Sequence, residues 1–182
     1  MILAESLLEA RFEERLNRYL AAVTLDQQEI EAFVPNPGRM TELMIPGVAA
    51  LVRKAGNPNR KTRYDLVALW YEDEWVCIDS QAPNKIVFEL LNERKFEEFA
   101  PYPEIKKEVS YLNSRFDFYL SGKDKGCFIE AKSCTLVEDG VALFPDAPTK
   151  RGTRHVHELI EAVEDGYEAY VLIVIQSGRA KV

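Results

Sequence analysis

The residues that decide the fold are Phe116-Asp117-Phe118-Tyr119-Leu120 and Cys127-Phe128-Ile129-Glu130-Ala131-Lys132-Ser133. Both stretches contain the aromatic and β-branched side chains that are typical of strands. Between them lies a polar segment with two glycines, residues 121–126, which has the composition of a turn. The pattern therefore predicts a β-hairpin.

Period-two alternation in the second strand places Glu130 and Lys132 on one face and Ile129 and Ala131 on the other. Asp117, in the first strand, is about as far from the centre of the turn as Glu130 is. Residues that are equally distant from a hairpin turn lie opposite each other. We therefore expect two carboxylates and a lysine to converge.

Such a group suits metal-assisted cleavage of a phosphodiester bond. Carboxylate oxygens are suitable ligands for Mg²⁺, and Mn²⁺ is a possible substitute. The lysine is of the right type to orient an attacking water or to offset transition-state charge. Glu108, on the strand before, is a possible further acidic member. The spacing alone fits a surface Glu–Lys ion pair equally well, so both interpretations stay open here.

The flanking segments predict a layered α/β domain. Ile86–Phe99 has helical spacing, Lys107–Leu112 is strand-like, a helix is predicted from Thr153 or Arg154 to about Val163, and Tyr170–Ile175 reads as a buried strand. This order of elements does not match a Rossmann repeat.

The N-terminal half is predicted to be rich in short strands. Leu66–Tyr71 and Glu74–Ile78 flank an acidic turn and predict a hairpin, and Met40–Met44 has room for one helical turn. The apolar spacing of Phe12–Leu25 fits a helix as well as a strand. Short strands separated by Pro/Gly turns suggest a small barrel, for which the five-stranded OB type is one possibility.

Charge is unevenly distributed along this acidic chain of 182 residues and formal net charge −7. The net charge argues mildly against a nucleic-acid partner, but residues 53–63 and 150–155 are two basic patches. Each basic patch is about equally consistent with a surface exposed only to solvent and with a surface that binds phosphates. The residues proposed to contact nucleic acid are Arg39, Arg60, Lys61, Arg63, Lys150, Arg151 and Arg154.

Several features favour a reduced, cytoplasmic protein. The three cysteines form no CxxC motif, and Met1–Ala4 is followed at once by Glu5, which is atypical of a secretory signal. The longest apolar stretch, Ala169–Ile175, is about a third of the ~20 residues that a membrane helix needs. His155 and His157 are two residues apart in a predicted helix, so their side chains are expected to point in different directions.

Motifs in consistent order along the chain resemble the sugar fermentation stimulation protein family. They extend from about residue 11 to Gln176. The stretches that carry the resemblance are Pro35–Arg39 with Glu42-Leu43 and Pro46-Gly47, Lys61–Val67, Ser114–Phe118, Phe128–Ser133 and Phe144–Gly152.

The resemblance implies a mixed α/β protein: an OB-like β-barrel in residues 1–82 and a PD-(D/E)XK nuclease-like domain in residues 83–182. It implies Asp117 and Glu130 as the acidic, metal-binding pair and Lys132 as the catalytic lysine, with Glu108 and Gln176 as supporting residues. Family members usually continue for several dozen residues beyond the position of Val182, so this domain is expected to be short at its C terminus.

Two functions follow as hypotheses. The first is a Mg²⁺-dependent nuclease that cleaves DNA or RNA gripped by the N-terminal domain. The second, in line with the family's original description, is a non-catalytic DNA-binding regulator of sugar (maltose) metabolism genes. An exposed sheet edge would also allow a homodimer.

Overall fold

The structure is a computed structural model and describes residues 6–122, 125–145 and 149–181. Met1–Glu5, part of the polar turn and Asp146–Pro148 of the last motif lie outside the described residues.

The chain divides into two compact units. The barrel unit comprises the described residues of 2–81, 134–144 and 175–182, and the sheet unit comprises those of 82–133 and 145–174. The chain first passes from the barrel unit to the sheet unit between Gln81 and Ala82. Residues 134–144 and 175–182, however, group with the barrel unit, although they follow the division in sequence.

The barrel unit is built on a six-stranded sheet in the order β3-β2-β1-β4-β5-β6. Parallel pairing of β3 with β5 closes the first five strands into an OB-like barrel, as expected from the sequence. A small hairpin, β10–β11, belongs to the same unit. The strands are β1 (Leu7–Asn17), β2 (Leu20–Leu25), β3 (Gln28–Phe33), β4 (Ala49–Lys54), β5 (Tyr64–Tyr71), β6 (Glu74–Cys77), β10 (Val137–Glu138) and β11 (Val141–Ala142).

The ambiguous segment Phe12–Leu25 forms strands, so its helical alternative is wrong. β1 and β2 pair as an antiparallel hairpin in which Phe12 lies opposite Val23, and both side chains are buried in the barrel core. Apolar spacing of three to four residues suits a helix, but burial inside a closed barrel favours the strand. The predicted β5–β6 hairpin is confirmed, and Met44 N–H donates to Met40 O at 2.9 Å in the predicted helical turn.

The sheet unit contains a four-stranded sheet in the order β12-β9-β8-β7. Its elements are α1 (Ala82–Asn92), a 3-10 turn (Glu97–Phe99), β7 (Glu104–Tyr111), β8 (Ser114–Ser121), β9 (Gly126–Cys134), α2 (Lys150–Glu164) and β12 (Glu168–Ile175). Strands β7, β8 and β9 pair antiparallel, which confirms the predicted hairpin between β8 and β9.

The two helices pack on opposite faces of this sheet. Ile129 of β9 packs in a core with Val87 and Leu91 of α1. Its neighbour Phe128 packs in a second core with Leu159 of α2. Since consecutive strand residues point to opposite faces, the sheet lies between α1 and α2.

Both helices begin earlier than predicted. Pro83 occupies the first turn of α1, where proline is favoured because its missing N–H would have no partner there. Thr149 caps α2, its side chain accepting a hydrogen bond from Gly152 N at 2.9 Å. The predicted helix to Phe99 instead ends at Asn92, followed by Arg94 at φ 55°.

Within the described part of the chain, no helix combines the length and apolar character needed to cross a membrane.

Candidate catalytic site

Asp117 lies where β8 and β9 stop pairing through their backbones. The last backbone pair beside it is Phe118 with Ile129, and Asp117 lies close enough to Glu130, the next residue of β9, to feel its negative charge. In place of a backbone bond, Asp117 Oδ2 accepts a hydrogen bond from Ala131 N at 2.8 Å. Its other oxygen accepts one from Asn84 Nδ2, on α1, at 2.5 Å. Asp117 is therefore held by two neutral donors from neighbouring elements.

Glu130 is buried, with 4% of its surface exposed, and its two oxygens have different surroundings. Oε1 accepts hydrogen bonds from Lys132 Nζ and from His155 Nδ1, the latter at 2.7 Å. Oε2 is also buried and has no hydrogen-bond partner among the residues that the structure describes. The alternation predicted for β9 is confirmed, because Glu130 and Lys132 meet on one face while Ile129 and Ala131 pack against α1 on the other.

The two carboxylates repel each other. Burial raises the pKa of Asp117 above its usual value, and the negative charge of Glu130 raises it further. The hydrogen bonds from Ala131 N and Asn84, and the charge of Lys132, act in the opposite direction but do not restore the usual pKa. The charged form of Asp117 is therefore disfavoured by its surroundings.

This arrangement fits a divalent cation of the Mg²⁺ type. Both donors are hard carboxylate oxygens, and the unpartnered Oε2 of Glu130 is an acceptor for which a cation would compensate. Across residues 6–122, 125–145 and 149–181, no group of three or more His, Cys, Asp or Glu side chains is arranged to hold a metal. Mg²⁺ commonly binds through one or two carboxylates, with waters and substrate phosphates completing its coordination.

Two residues near the carboxylates, Asn84 and His155, were missed by reasoning from sequence. His155 is 2% exposed and bonds Glu130, whereas His157 is exposed, which confirms that the two side chains diverge. The burial of His155 has a sequence signal, because it shares helical spacing with the buried Leu159 and Ala162. Asn84 follows Pro83 at the start of α1, and nothing in the local sequence distinguishes it from a capping residue.

The two proposed supporting residues have other partners. Glu108 has φ 57° and forms an exposed ion pair with Arg115, Oε2 to Nη2 at 2.8 Å. Gln176 belongs to the barrel unit, where its Nε2 donates to the carbonyl of Cys77 at 2.6 Å. Their catalytic roles remain predictions, and these contacts supply no support for either role.

The first basic patch separates into structural and exposed residues. Arg60 pairs with Asp65 at 2.8 Å and lies over the ring of Phe33, with its guanidinium carbon 5.0 Å from the ring centre. Arg53 bridges Asp65 and Asp79. By contrast, the side chains of Lys61 and Arg63 are exposed, as is that of Arg39. Phosphate contacts from this patch would therefore come from the exposed residues rather than from Arg60.

The second basic patch forms the first turns of α2. Lys150, Arg151 and Arg154 are all exposed. Lys150 and Arg154 line an open groove together with Thr153, His157 and two acidic residues, Glu158 and Glu161. Basic side chains beside the N-terminus of a helix, where backbone N–H groups point outward, favour anions.

Comparison with known proteins follows the same division of the chain. Residues 81–182 match the model of the sugar fermentation stimulation protein RE domain, and residues 14–78 match the SfsA N-terminal OB domain. The chain belongs to the sugar fermentation stimulation protein family. This membership and the OB-like barrel confirm the family and fold class inferred from the sequence.

Relatives in this family are similar over nearly the whole chain. A sugar fermentation stimulation protein homolog of Clostridium kluyveri is 46% identical over 177 residues, covering 97% of this chain and 77% of the relative. One from Acetivibrio thermocellus is 47% identical over 177 residues, covering 97% of this chain and 76% of the relative. The structure of Pyrococcus furiosus SfsA in complex with Ca²⁺ superposes with a TM-score of 0.89 at 28% identity, covering 97% of this chain and 76% of that one.

Proposed function

We propose that this protein is a divalent-metal-dependent nuclease that hydrolyses phosphodiester bonds of DNA or RNA. The observation that carries the proposal is the proximity of two carboxylates, Asp117 and Glu130. Lys132 is bonded to Glu130, and the second oxygen of Glu130 has no hydrogen-bond partner among the described residues. The relative in complex with Ca²⁺ supports a divalent cation, and we propose Mg²⁺ for this chain, with Mn²⁺ as a substitute.

Each residue has a distinct role in this proposal. Asp117 and Glu130 would bind the cation through carboxylate oxygens. A bound Mg²⁺ polarises the phosphate and lowers the pKa of an attacking water. Lys132, whose ammonium lies beside Glu130, would orient that water or offset the negative charge that develops on the phosphate. Asn84 and Ala131 N keep Asp117 in place.

The exposed basic residues would hold the nucleic-acid backbone. In the barrel unit we propose Arg39, Lys61 and Arg63, and on α2 we propose Lys150, Arg151 and Arg154. Arg60 is left out of this set because its charge is offset by Asp65. Binding through phosphates should weaken steeply with added salt.

The test is cleavage of single- and double-stranded DNA and RNA with Mg²⁺, Mn²⁺ or Ca²⁺. We expect the parent protein to cleave at least one substrate with Mg²⁺ or Mn²⁺, and Glu130→Ala or Lys132→Ala to lose at least about 10²-fold in rate. Glu104→Ala is the matched control, since it removes an exposed carboxylate from strand β7 outside the proposed site and should leave the rate unchanged. Binding without cleavage by the parent under all conditions would refute the nuclease proposal.

A DNA-binding regulator is the second proposal. It is favoured by the exposed basic patches. It predicts salt-sensitive DNA binding that survives Glu130→Ala and is lost in Arg63→Ala. Metal-dependent cleavage by the parent that disappears in Glu130→Ala would exclude a purely regulatory role.

A further inference from the structure

We propose that His155, itself held by Arg151, is a positioning residue that orients Glu130 for cation binding. This inference rests on the proposed function, because it assumes that Glu130 is a metal ligand. It extends that proposal to His155, a side chain of α2 that is far from Glu130 in the sequence. The sequence alone assigns this residue no role in the catalytic site.

The hydrogen bonds of His155 indicate which nitrogen of its imidazole ring carries the proton. His155 Nδ1 lies 2.7 Å from Glu130 Oε1, and Arg151 Nε donates to His155 Nε2 at 3.3 Å. Since Nε2 accepts, it carries no proton, and the ring proton is on Nδ1. The chain of donation thus runs from Arg151 to His155 to Glu130.

This chain of bonds decides which glutamate oxygen remains available. Oε1 accepts from both Lys132 and His155, so two donors occupy it from different elements. Oε2 receives no hydrogen bond although it is buried. A buried acceptor without a partner is unfavourable, and a cation would compensate it. The donors on Oε1 therefore leave Oε2 as the free ligand.

Packing holds the imidazole in this orientation. The ring of His155 is 2% exposed and meets Phe116 edge to face, with ring centres 5.7 Å apart at an interplanar angle of 74°. Leu159 and Ala162, on the same side of α2, are buried in the core that contains Phe116. Partners that hydrogen-bond a metal ligand fix its orientation, and their loss typically weakens metal binding by about 10–100-fold.

Two substitutions separate positioning from a purely structural role. His155→Phe keeps a planar ring but removes the donor to Glu130, whereas His155→Asn places an amide N–H close to the position of Nδ1–H. The measurement is the Kd for Mn²⁺ without nucleic acid, by calorimetry or by electron paramagnetic resonance of free Mn²⁺. His157→Phe and His157→Asn, at an exposed histidine of the same helix, are matched controls.

We expect His155→Phe to weaken Mn²⁺ binding by about 10–100-fold, while His155→Asn and both His157 variants stay within about threefold of the parent. Circular dichroism without metal reports whether each variant is folded. If His155→Phe does not fold, Arg151→Met at an exposed position carries the test, with a severalfold increase in Kd expected. Parent-like Kd values in folded His155→Phe, or in Arg151→Met where that variant carries the test, would overturn the inference.

The two proposals fail in different ways. If the parent binds Mn²⁺ and cleaves nucleic acid while His155→Phe has the same Kd, only the positioning role is refuted. If the parent neither binds Mn²⁺ nor cleaves, both the nuclease function and the positioning role are refuted.

Discussion

At the scale of single residues, the two carboxylates differ in what surrounds them. Glu130 accepts from a lysine ammonium and an imidazole, whereas the donors to Asp117 in the described part of the chain are a backbone amide and an asparagine. Burial and the nearby charge of Glu130 consequently raise the pKa of Asp117. A carboxyl group whose pKa is raised by burial and by a neighbouring like charge is common at functional sites.

A first prediction concerns Asp117→Asn. The asparagine keeps an oxygen for Ala131 N–H but removes the charge that faces Glu130, so we expect metal-free Asp117→Asn to be at least as stable as the parent at pH 8. Asp117→Ala leaves two donors without an acceptor and should lower the unfolding free energy by about 1–3 kcal/mol. Urea unfolding measures both effects.

The pH dependence has a definite sign. The pKa of Asp117 is higher in the folded state than in the unfolded state. The contribution of this residue to the free energy of unfolding is therefore fully present at pH values below its unfolded-state pKa, and it is lost as pH rises through its folded-state pKa. The advantage of Asp117→Asn should therefore shrink as pH falls to about 4, near the usual aspartate pKa. An advantage that grows on acidification would contradict the repulsion between Asp117 and Glu130.

At the scale of elements, α2 contributes to the protein in two ways, through its buried side and through its exposed first turns. Its buried side carries Leu159 and Ala162 into the core and His155 to Glu130, while its first turns expose basic side chains. The helix position is set at its start by Thr149, whose hydroxyl accepts from Gly152 N. A shift of this first turn would change both the basic surface and the contact with Glu130.

A second prediction tests this cap. Thr149→Ala removes the acceptor for Gly152 N and should lower the unfolding free energy by about 1 kcal/mol, whereas Thr149→Ser keeps the hydroxyl and should match the parent. Chemical unfolding followed by circular dichroism measures the difference. Equal stabilities for the alanine and serine variants would show that the cap does not contribute.

At the scale of the whole molecule, an apolar surface remains exposed on the sheet unit. Val156, Ile160 and Val163 follow helical spacing along α2 and are 48%, 51% and 53% exposed. On β12, at the edge of the four-stranded sheet, Val171 and Ile173 are 40% and 48% exposed. From Ala169 to Ile175 this edge strand has no charged residue or proline to discourage pairing with another strand.

A third prediction follows from this surface. We expect the 182-residue chain to form dimers through β12 in a concentration-dependent equilibrium, and Ile173→Lys to shift it to monomer by placing a charge on the strand. Sedimentation velocity over a range of concentrations measures the change. Leu16→Lys, at an exposed apolar residue of the barrel unit, is the control and should leave the equilibrium unchanged. A parent that stays monomeric throughout would rule out this interface.

The sequence alone determined the features that depend on residues close to one another in the chain, namely which face of a strand a residue occupies and which strands form a hairpin. Alternation along β9 predicted that Glu130 and Lys132 share a face, and the position of the polar turn predicted that Asp117 lies close to Glu130. Both follow from the period of a strand and the geometry of a hairpin, which neighbouring residues impose on one another.

Only the tertiary structure decided which distant residues complete those features. The contacts of Glu130 with His155 and of Asp117 with Asn84 join separate helices to the central strands, and the ion pair with Asp65 removes Arg60 from the exposed basic set. The parallel pairing of β3 with β5 likewise joins strands that are far apart in the chain. Local periodicity indicates which face of an element is buried, but the partner on that face is selected by packing among all the elements at once.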